Sequence, residues 1–167
     1  MMKQIKIYTD GACSSNPGPG GWAAVFLLKN DVKLLKGNKA KTTNNRMELL
    51  AVIEALKKIQ KLSRAKDLSD TLFLIHSDSS YVVNSVNLGW VFKWQINEWM
   101  TTKGDDVKNR DLWSEFVELK ATLEMDDVMF ELVKVKGHAG DSCNELADKH
   151  AREQSLLAKE LENENEG

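Results

Sequence analysis

The chain has little of what would mark several whole classes of protein. Only two of its 167 residues are cysteine and only two are proline. Cys13 and Cys143 are too few for a disulfide framework, so stability must come from a packed core, and free thiols in a reducing compartment are expected. Sparse proline together with 42% hydrophobic content excludes a collagen-like or disordered chain. No apolar run approaches the roughly 20 residues that a membrane helix needs. Residues 1–20 carry Lys3, Lys6 and Asp10 and lack the apolar stretch of a secretory signal. A cytoplasmic monomer without a membrane partner is therefore expected. Charge of one sign is also lacking: 23 basic residues face 25 acidic ones, a net of −2. Taken whole, that balance does not suggest a nucleic-acid binder.

What charge there is lies unevenly. From Glu153 onward five acids stand against Lys159 alone, a net of −4 that leaves +2 on the preceding 152 residues. With no apolar residue from Asn163 on, residues 154–167 are expected to form an acidic, disordered tail on a single domain spanning 1–153.

Periodicity supplies the elements. Ile5 and Ile7 alternate with polar neighbours and predict a strand over Lys3–Thr9, closed by the breaker cluster Asn16-Pro17-Gly18-Pro19-Gly20-Gly21. Strands over Trp22–Lys29 and Val32–Asn38 follow, joined by Asn30-Asp31. The period then changes. Leu49, Val52, Ile53, Leu56 and Ile59 fall at helical spacing after the capping residues Thr42, Thr43 and Asn44, predicting a helix to about Leu62. Thr71–Ser77 reads as a buried strand, Ser79–Asn87 and Trp90–Met100 as short helices, and Asn109–Glu124 as a longer one. A strand over Val128–Lys136 and a helix from about Ser142 complete the chain. Hairpin strands first, then strands alternating with helices, predict an α/β domain with a mixed sheet covered by helices.

Four acids stand at positions where an acid is costly. Asp10 follows the first strand, Glu48 lies in the first turns of the first long helix, Asp78 closes Thr71–Ser77, and Asp148 sits in the last helix. A carboxylate near an apolar interior needs a partner or a metal, and no lysine or arginine adjoins Asp10 or Asp78 in sequence. Converging carboxylates repel, and a hard divalent cation such as magnesium would offset the repulsion. Taken singly, each acid is equally well a turn former or a helix cap.

The surrounding motifs change that balance. Thr9-Asp10-Gly11-Ala12-Cys13-Ser14-Ser15-Asn16-Pro17-Gly18-Pro19-Gly20-Gly21-Trp22 resembles the first motif of the type 1 ribonuclease H family. Lys41-Thr42-Thr43-Asn44-Asn45-Arg46-Met47-Glu48-Leu49 resembles the second and Ser77-Asp78-Ser79-Ser80-Tyr81-Val82 the third. Lys108-Asn109-Arg110-Asp111-Leu112-Trp113, Val135-Lys136-Gly137-His138-Ala139-Gly140 and Asn144-Glu145-Leu146-Ala147-Asp148 resemble the rest, in family order, over residues 3 to about 152. The resemblance to this bacterial-type, stand-alone catalytic domain implies a ribonuclease H-like fold with a five-stranded sheet, three antiparallel strands followed by parallel ones.

It further implies an endonuclease that cuts the RNA strand of RNA–DNA hybrids with two magnesium ions (manganese a possible substitute), leaving 5′-phosphate and 3′-hydroxyl ends. Asp10, Glu48, Asp78 and Asp148 match the family's metal-holding carboxylates, and His138 its accessory catalytic histidine. Asn16, Asn44 and Asn45 match amides that contact the hybrid's minor groove, where a 2′-hydroxyl both donates and accepts. Lys41, Thr43 and Asn109 match positions that hold a phosphate of the DNA strand. Trp90 and Trp94 match a projecting handle that lines the DNA channel, whereas Trp113 reads as core. Two departures stand out. Ser80 replaces a glutamine common in bacterial members, and residues 89–110 carry only +1 where the handle is usually strongly basic. A catalytically weak hybrid-binding module of the same fold is the alternative, although such a module has little reason to keep four repelling carboxylates.

Overall fold

The computed structural model describes residues 2–136 and 142–166. Ten elements follow in the order β1 (Lys3–Cys13), β2 (Gly18–Leu28), β3 (Asp31–Thr42), α1 (Asn44–Ala65), β4 (Thr71–Ser77), α2 (Ser80–Asn87), α3 (Trp90–Ile96), α4 (Arg110–Met125), β5 (Met129–Lys134) and α5 (Ser142–Glu166). The sheet order is β3-β2-β1-β4-β5. β1–β2 and β2–β3 pair antiparallel, and β1–β4 and β4–β5 pair parallel. The mixed five-stranded α/β sheet expected from sequence is the one observed.

β1 is central, and both of its faces are covered. Ile7 joins the large core built with α1 and α4 residues such as Ile53, Leu56, Trp113 and Phe116. Tyr8 joins a smaller cluster with Val25 and with Ala147 of α5. Residues 7–11 are buried without interruption, as a strand sandwiched between helices requires. β1 also runs four residues past its expected end. Asp10 pairs with Ala23, and Cys13 with Gly20, so Asp10 lies within the strand rather than after it. The glycine-rich stretch breaks the chain only at residues 14–17 and then pairs as strand. Glycine at these positions serves close approach: a Cβ on Gly20 would meet the Thr42 methyl at 2.5 Å and Met47 Cγ at 2.9 Å.

α1 starts at Thr43, whose side chain accepts from the Arg46 N–H, a standard cap. Its face carrying Leu49, Val52, Ile53, Leu56 and Ile59 is fully buried. α3 stops at Ile96 instead of the expected Met100. Glu98 (φ 55°) and Trp99 (φ 63°) are left-handed, and the Trp99 N–H closes on the Trp94 carbonyl at 2.7 Å, a termination that substitutes for glycine.

The disordered tail expected from residue 154 is corrected. α5 continues through Glu166, with Ser155 and Ala158 buried. The Ser155 hydroxyl lies 2.8 Å from that of Ser14 and donates to the Pro19 carbonyl at 3.2 Å, while Asn38 Nδ2 donates to Gln154 Oε1 at 2.8 Å. Small residues at 151, 155 and 158 form one stripe at helical spacing, and Gly21 of β2 receives it: a Cβ there would lie 2.5 Å from Ala151 O and Ser155 N. Composition alone misses this stripe, because net charge dominates the segment's average. Gly21→Ala should therefore lift α5 off the sheet and cost about 1–3 kcal/mol in urea unfolding, the usual range for overpacking. A loss below about 0.5 kcal/mol would mean that α5 is not seated on β2.

Candidate active site

Parallel pairing sets the C-terminal ends of β1 and β4 side by side, the end of an α/β sheet where ligands bind. Asp10 comes from β1 and Asp78 from the residue after β4. Glu48 descends from α1, and Asp148 from α5. Gly11 makes the approach of α1 possible, since a Cβ there would lie 2.4 Å from Glu48 N and 2.5 Å from the Met47 carbonyl carbon. Its N–H is shared between two carboxylates, 2.9 Å from Asp10 Oδ1 and 3.1 Å from Glu48 Oε1.

Carboxylate oxygens of Asp10, Glu48 and Asp78 all lie within 4.8 Å of one another. Asp10 is 5% and Glu48 4% exposed. Burial pushes the Asp10 carboxyl up to about 7, with the Asp78 charge adding to it. Burial, then the charge of Asp10, holds Glu48 well above the usual carboxylate range. Among the described residues no lysine or arginine pairs with these three acids, and the buried Glu48 Oε2 has no hydrogen-bond partner. A set of hard oxygen donors with an orphaned buried oxygen and no counter-ion is what a divalent cation would complete; the residues fit the metal that the sequence implies.

Asp148 is less tightly drawn in. It lines the same cleft, yet it is outside the mutually close trio, and its Oδ2 is 2.9 Å from Arg152 Nη2. The cleft measures about 380 Å³ and is lined by the four acids, Asn44, Asn45 and the segment Ser79–Tyr81. Asn16 stands beside it, its Oδ1 accepting from the Asn44 N–H at 3.1 Å. Thr43 caps α1, and exposed Lys41 faces a neighbouring groove between β3, α1 and α4. Trp90 is 40% exposed at the start of α3, while Trp94 is half-buried, edge-on to the fully buried Trp113. His138 lies outside the described residues.

Sequence reasoning missed how Asn109 is held. It takes a left-handed conformation before α4 (φ 62°). Arg46 Nη1 donates to its Oδ1 at 3.3 Å, and its Nδ2 donates to the Tyr81 hydroxyl at 2.9 Å. Arg46 also grips Asp111 with two hydrogen bonds of 2.9 and 2.6 Å, which raises the guanidinium's pKa and lowers that of the carboxyl. Arg46 and Tyr81 both stand inside the sequence motifs, but neither type nor spacing announces that they meet at Asn109.

A mixed sheet of this order, with acids converging on the ends of its central strands, is the ribonuclease H-like fold. The family model for RNase H matches residues 2–156. The ribonuclease H of Caldicellulosiruptor saccharolyticus is 47% identical over 151 residues, 90% of this chain and 95% of that protein. That of Syntrophomonas wolfei is 48% identical over 151 residues, again 90% and 95%. Among solved structures, LC9-RNase H1, a type 1 RNase H with the type 2 active-site motif, superposes with a TM-score of 0.73 at 27% identity, covering 95% of this chain and 74% of that one. LC11-RNase H1 in complex with an RNA/DNA hybrid shares the fold at a TM-score of 0.64 and 23% identity, covering 92% and 98%. The chain belongs to the ribonuclease H family, and its enzyme class is nuclease and hydrolase. No helix among the described residues is long and apolar enough to cross a membrane.

Proposed function

We propose that this enzyme hydrolyses the RNA strand of RNA–DNA hybrids internally, leaving 5′-phosphate and 3′-hydroxyl ends, and that it works with two divalent ions, magnesium by preference and manganese as a substitute. The observation that carries the reading is the trio of buried Asp10 and Glu48 with half-buried Asp78, and its orphaned Glu48 Oε2, set in a chain whose relatives are ribonucleases H. Asp10, Glu48, Asp78 and Asp148 would hold the metal. Bound there, divalent metal supplies an activated water and charge stabilisation for in-line phosphoryl displacement.

The chain's own residues do the rest. The shared Gly11 N–H fixes the Asp10 and Glu48 carboxylates at one orientation. Asn44 and Asn45 line the cleft, and Asn16 braces Asn44. These amides suit recognition of ribose 2′-hydroxyls, which both donate and accept. Lys41, Thr43 and Asn109 bear on a phosphate of the DNA strand, and Trp90 and Trp94 on its sugars and bases. His138, whose imidazole side chain can both accept and donate a proton, moves a proton or helps product leave. The reading places the enzyme in the cytoplasm as a monomer.

The test is cleavage of labelled RNA–DNA hybrid beside duplex RNA and duplex DNA, with magnesium, with manganese and with chelator. Hybrid-specific cutting of the RNA strand that needs metal is expected. Hybrid binding with no cleavage in either metal would instead identify a binding module.

A further inference from the structure

Tyr81 carries a hydrogen-bonding constraint that fixes what its hydroxyl can still do. Arg46 Nη1 is a donor only, so the Asn109 amide must turn its oxygen toward Arg46, as it does at 3.3 Å. That leaves Asn109 Nδ2 facing the Tyr81 oxygen at 2.9 Å. The indole N–H of Trp113 is also a donor only, on a fully buried side chain, and it too reaches the Tyr81 oxygen, at 2.9 Å. A phenol oxygen has two lone pairs, and both are now filled. The hydroxyl can therefore act only as a donor, and among the described residues its proton has no acceptor.

Tyr81 is half-buried and lines the carboxylate cleft beside Asp78, Ser79 and Ser80. The second Nδ2 hydrogen of Asn109 is also without an acceptor among the described residues. Two free donors held at one place call for a group that only accepts, and backbone phosphate oxygens are such groups on a nucleic acid. We propose that Tyr81 is a substrate-binding residue whose O–H donates to a phosphate oxygen of the hybrid's DNA strand, oriented for that task by Asn109 and Trp113. This proposal rests on the functional reading above. It assigns a role to a residue that the motif comparison left without one.

The test couples Tyr81→Phe to a scan of hybrids in which single DNA phosphates are replaced by neutral methylphosphonates. On the natural hybrid Y81F should lower kcat/KM about tenfold, through KM, with kcat within about twofold, the scale of one hydrogen bond to a charged group. At one position, neutralising the phosphate should cost the wild type about tenfold and Y81F less than about threefold. The coupling should shrink but remain measurable in an Asn109→Ala background, where one of the two orienting donors is gone. It should likewise shrink in Trp113→Phe, which removes the other orienting donor but leaves the hydroxyl in place.

Equal losses at every position would overturn the proposal, and so would a coupling left undiminished in both N109A and W113F. Coupling to single 2′-deoxy substitutions in the RNA strand would overturn it as well. Should Y81F fail to fold, the wild type labelled with 3-fluorotyrosine answers instead, because the chain has only two tyrosines. With hybrid and chelator the Tyr81 fluorine signal should move, and it should stay put when the coupled phosphate is neutral; a signal indifferent to every phosphate refutes the contact. A wild type that cleaves no hybrid at all would refute the functional reading rather than this contact.

Discussion

Asp10→Asn is expected to leave a folded protein that binds RNA–DNA hybrid within about threefold of the wild type and cleaves it at least about a thousandfold more slowly. The structure separates these outcomes. Asparagine has the size of aspartate, and its amide oxygen can still accept from the Gly11 N–H as Asp10 Oδ1 does at 2.9 Å, so the local backbone keeps its bond. What is lost is one anion from a trio whose oxygens lie within 4.8 Å of one another. A metal held by the remaining acids would sit displaced, and Lewis-acid stabilisation is worth several kcal/mol of barrier, which sets the thousandfold scale. Under the proposed function, hybrid affinity would rest on donors elsewhere: the cleft amides Asn44 and Asn45, and the groups about Asn109. Gel-shift titration and single-turnover cleavage of the same preparation check both halves. D10N activity within tenfold of wild type would reduce Asp10 to a structural acid, the role that strand-end aspartates commonly fill.

Much of this site was legible in the chain because four acids, each ordinary alone as a turn former or cap, stand together inside motifs in family order. Asp78 closes Thr71–Ser77, otherwise a hydrophobic strand, and β4 has the expected bounds. Trp113 reads as core from the stripe Leu112, Phe116, Leu119 and Leu123, and is fully buried. The features that escaped depend on approach between distant segments. The extension of β1 to Cys13 needs glycines in β2 that read as breakers until a partner strand and the Met47 side chain lie against them. The order of α5 beyond residue 153 needs the Gly21 surface, 130 residues earlier in the chain. Tyr81, Asn109 and Trp113 converge only because α2 and α4 pack on one core, and periodicity along a single element carries no record of such a meeting.

The metal-free protein should lose stability as pH rises from about 4 to about 7, opposite to the usual behaviour of a protein with paired carboxylates. Asp10 titrates at 3.8 in an ordinary setting and at about 7 here. Between those values the unfolded chain has released this proton while the native state retains it. The unfolded state therefore binds fewer protons, and unfolding becomes easier with each step in pH. Below 3.8 both states are protonated and the burial costs nothing; above about 7 the native state must hold the charge and the full cost applies. For Asp10 that cost is at most about 4 kcal/mol, and Glu48 shifts in the same direction. Asp111, whose pKa is lowered by Arg46, contributes its stability already above about pH 4 and does not offset the loss within this window. Urea unfolding in chelator should thus show a decline of about 2–4 kcal/mol between pH 4.5 and 8. D10N should flatten much of the profile, because Asp10 no longer ionises and its charge no longer raises Glu48. Magnesium at pH 8 should restore much of the loss, since a ligand that binds only the native state stabilises it by mass action, while chloride-matched potassium should not. A stability that climbs from pH 4.5 to 8 without metal would mean that the trio is solvated and shares its charge with water, and the case for a metal at Glu48 Oε2 would fall with it.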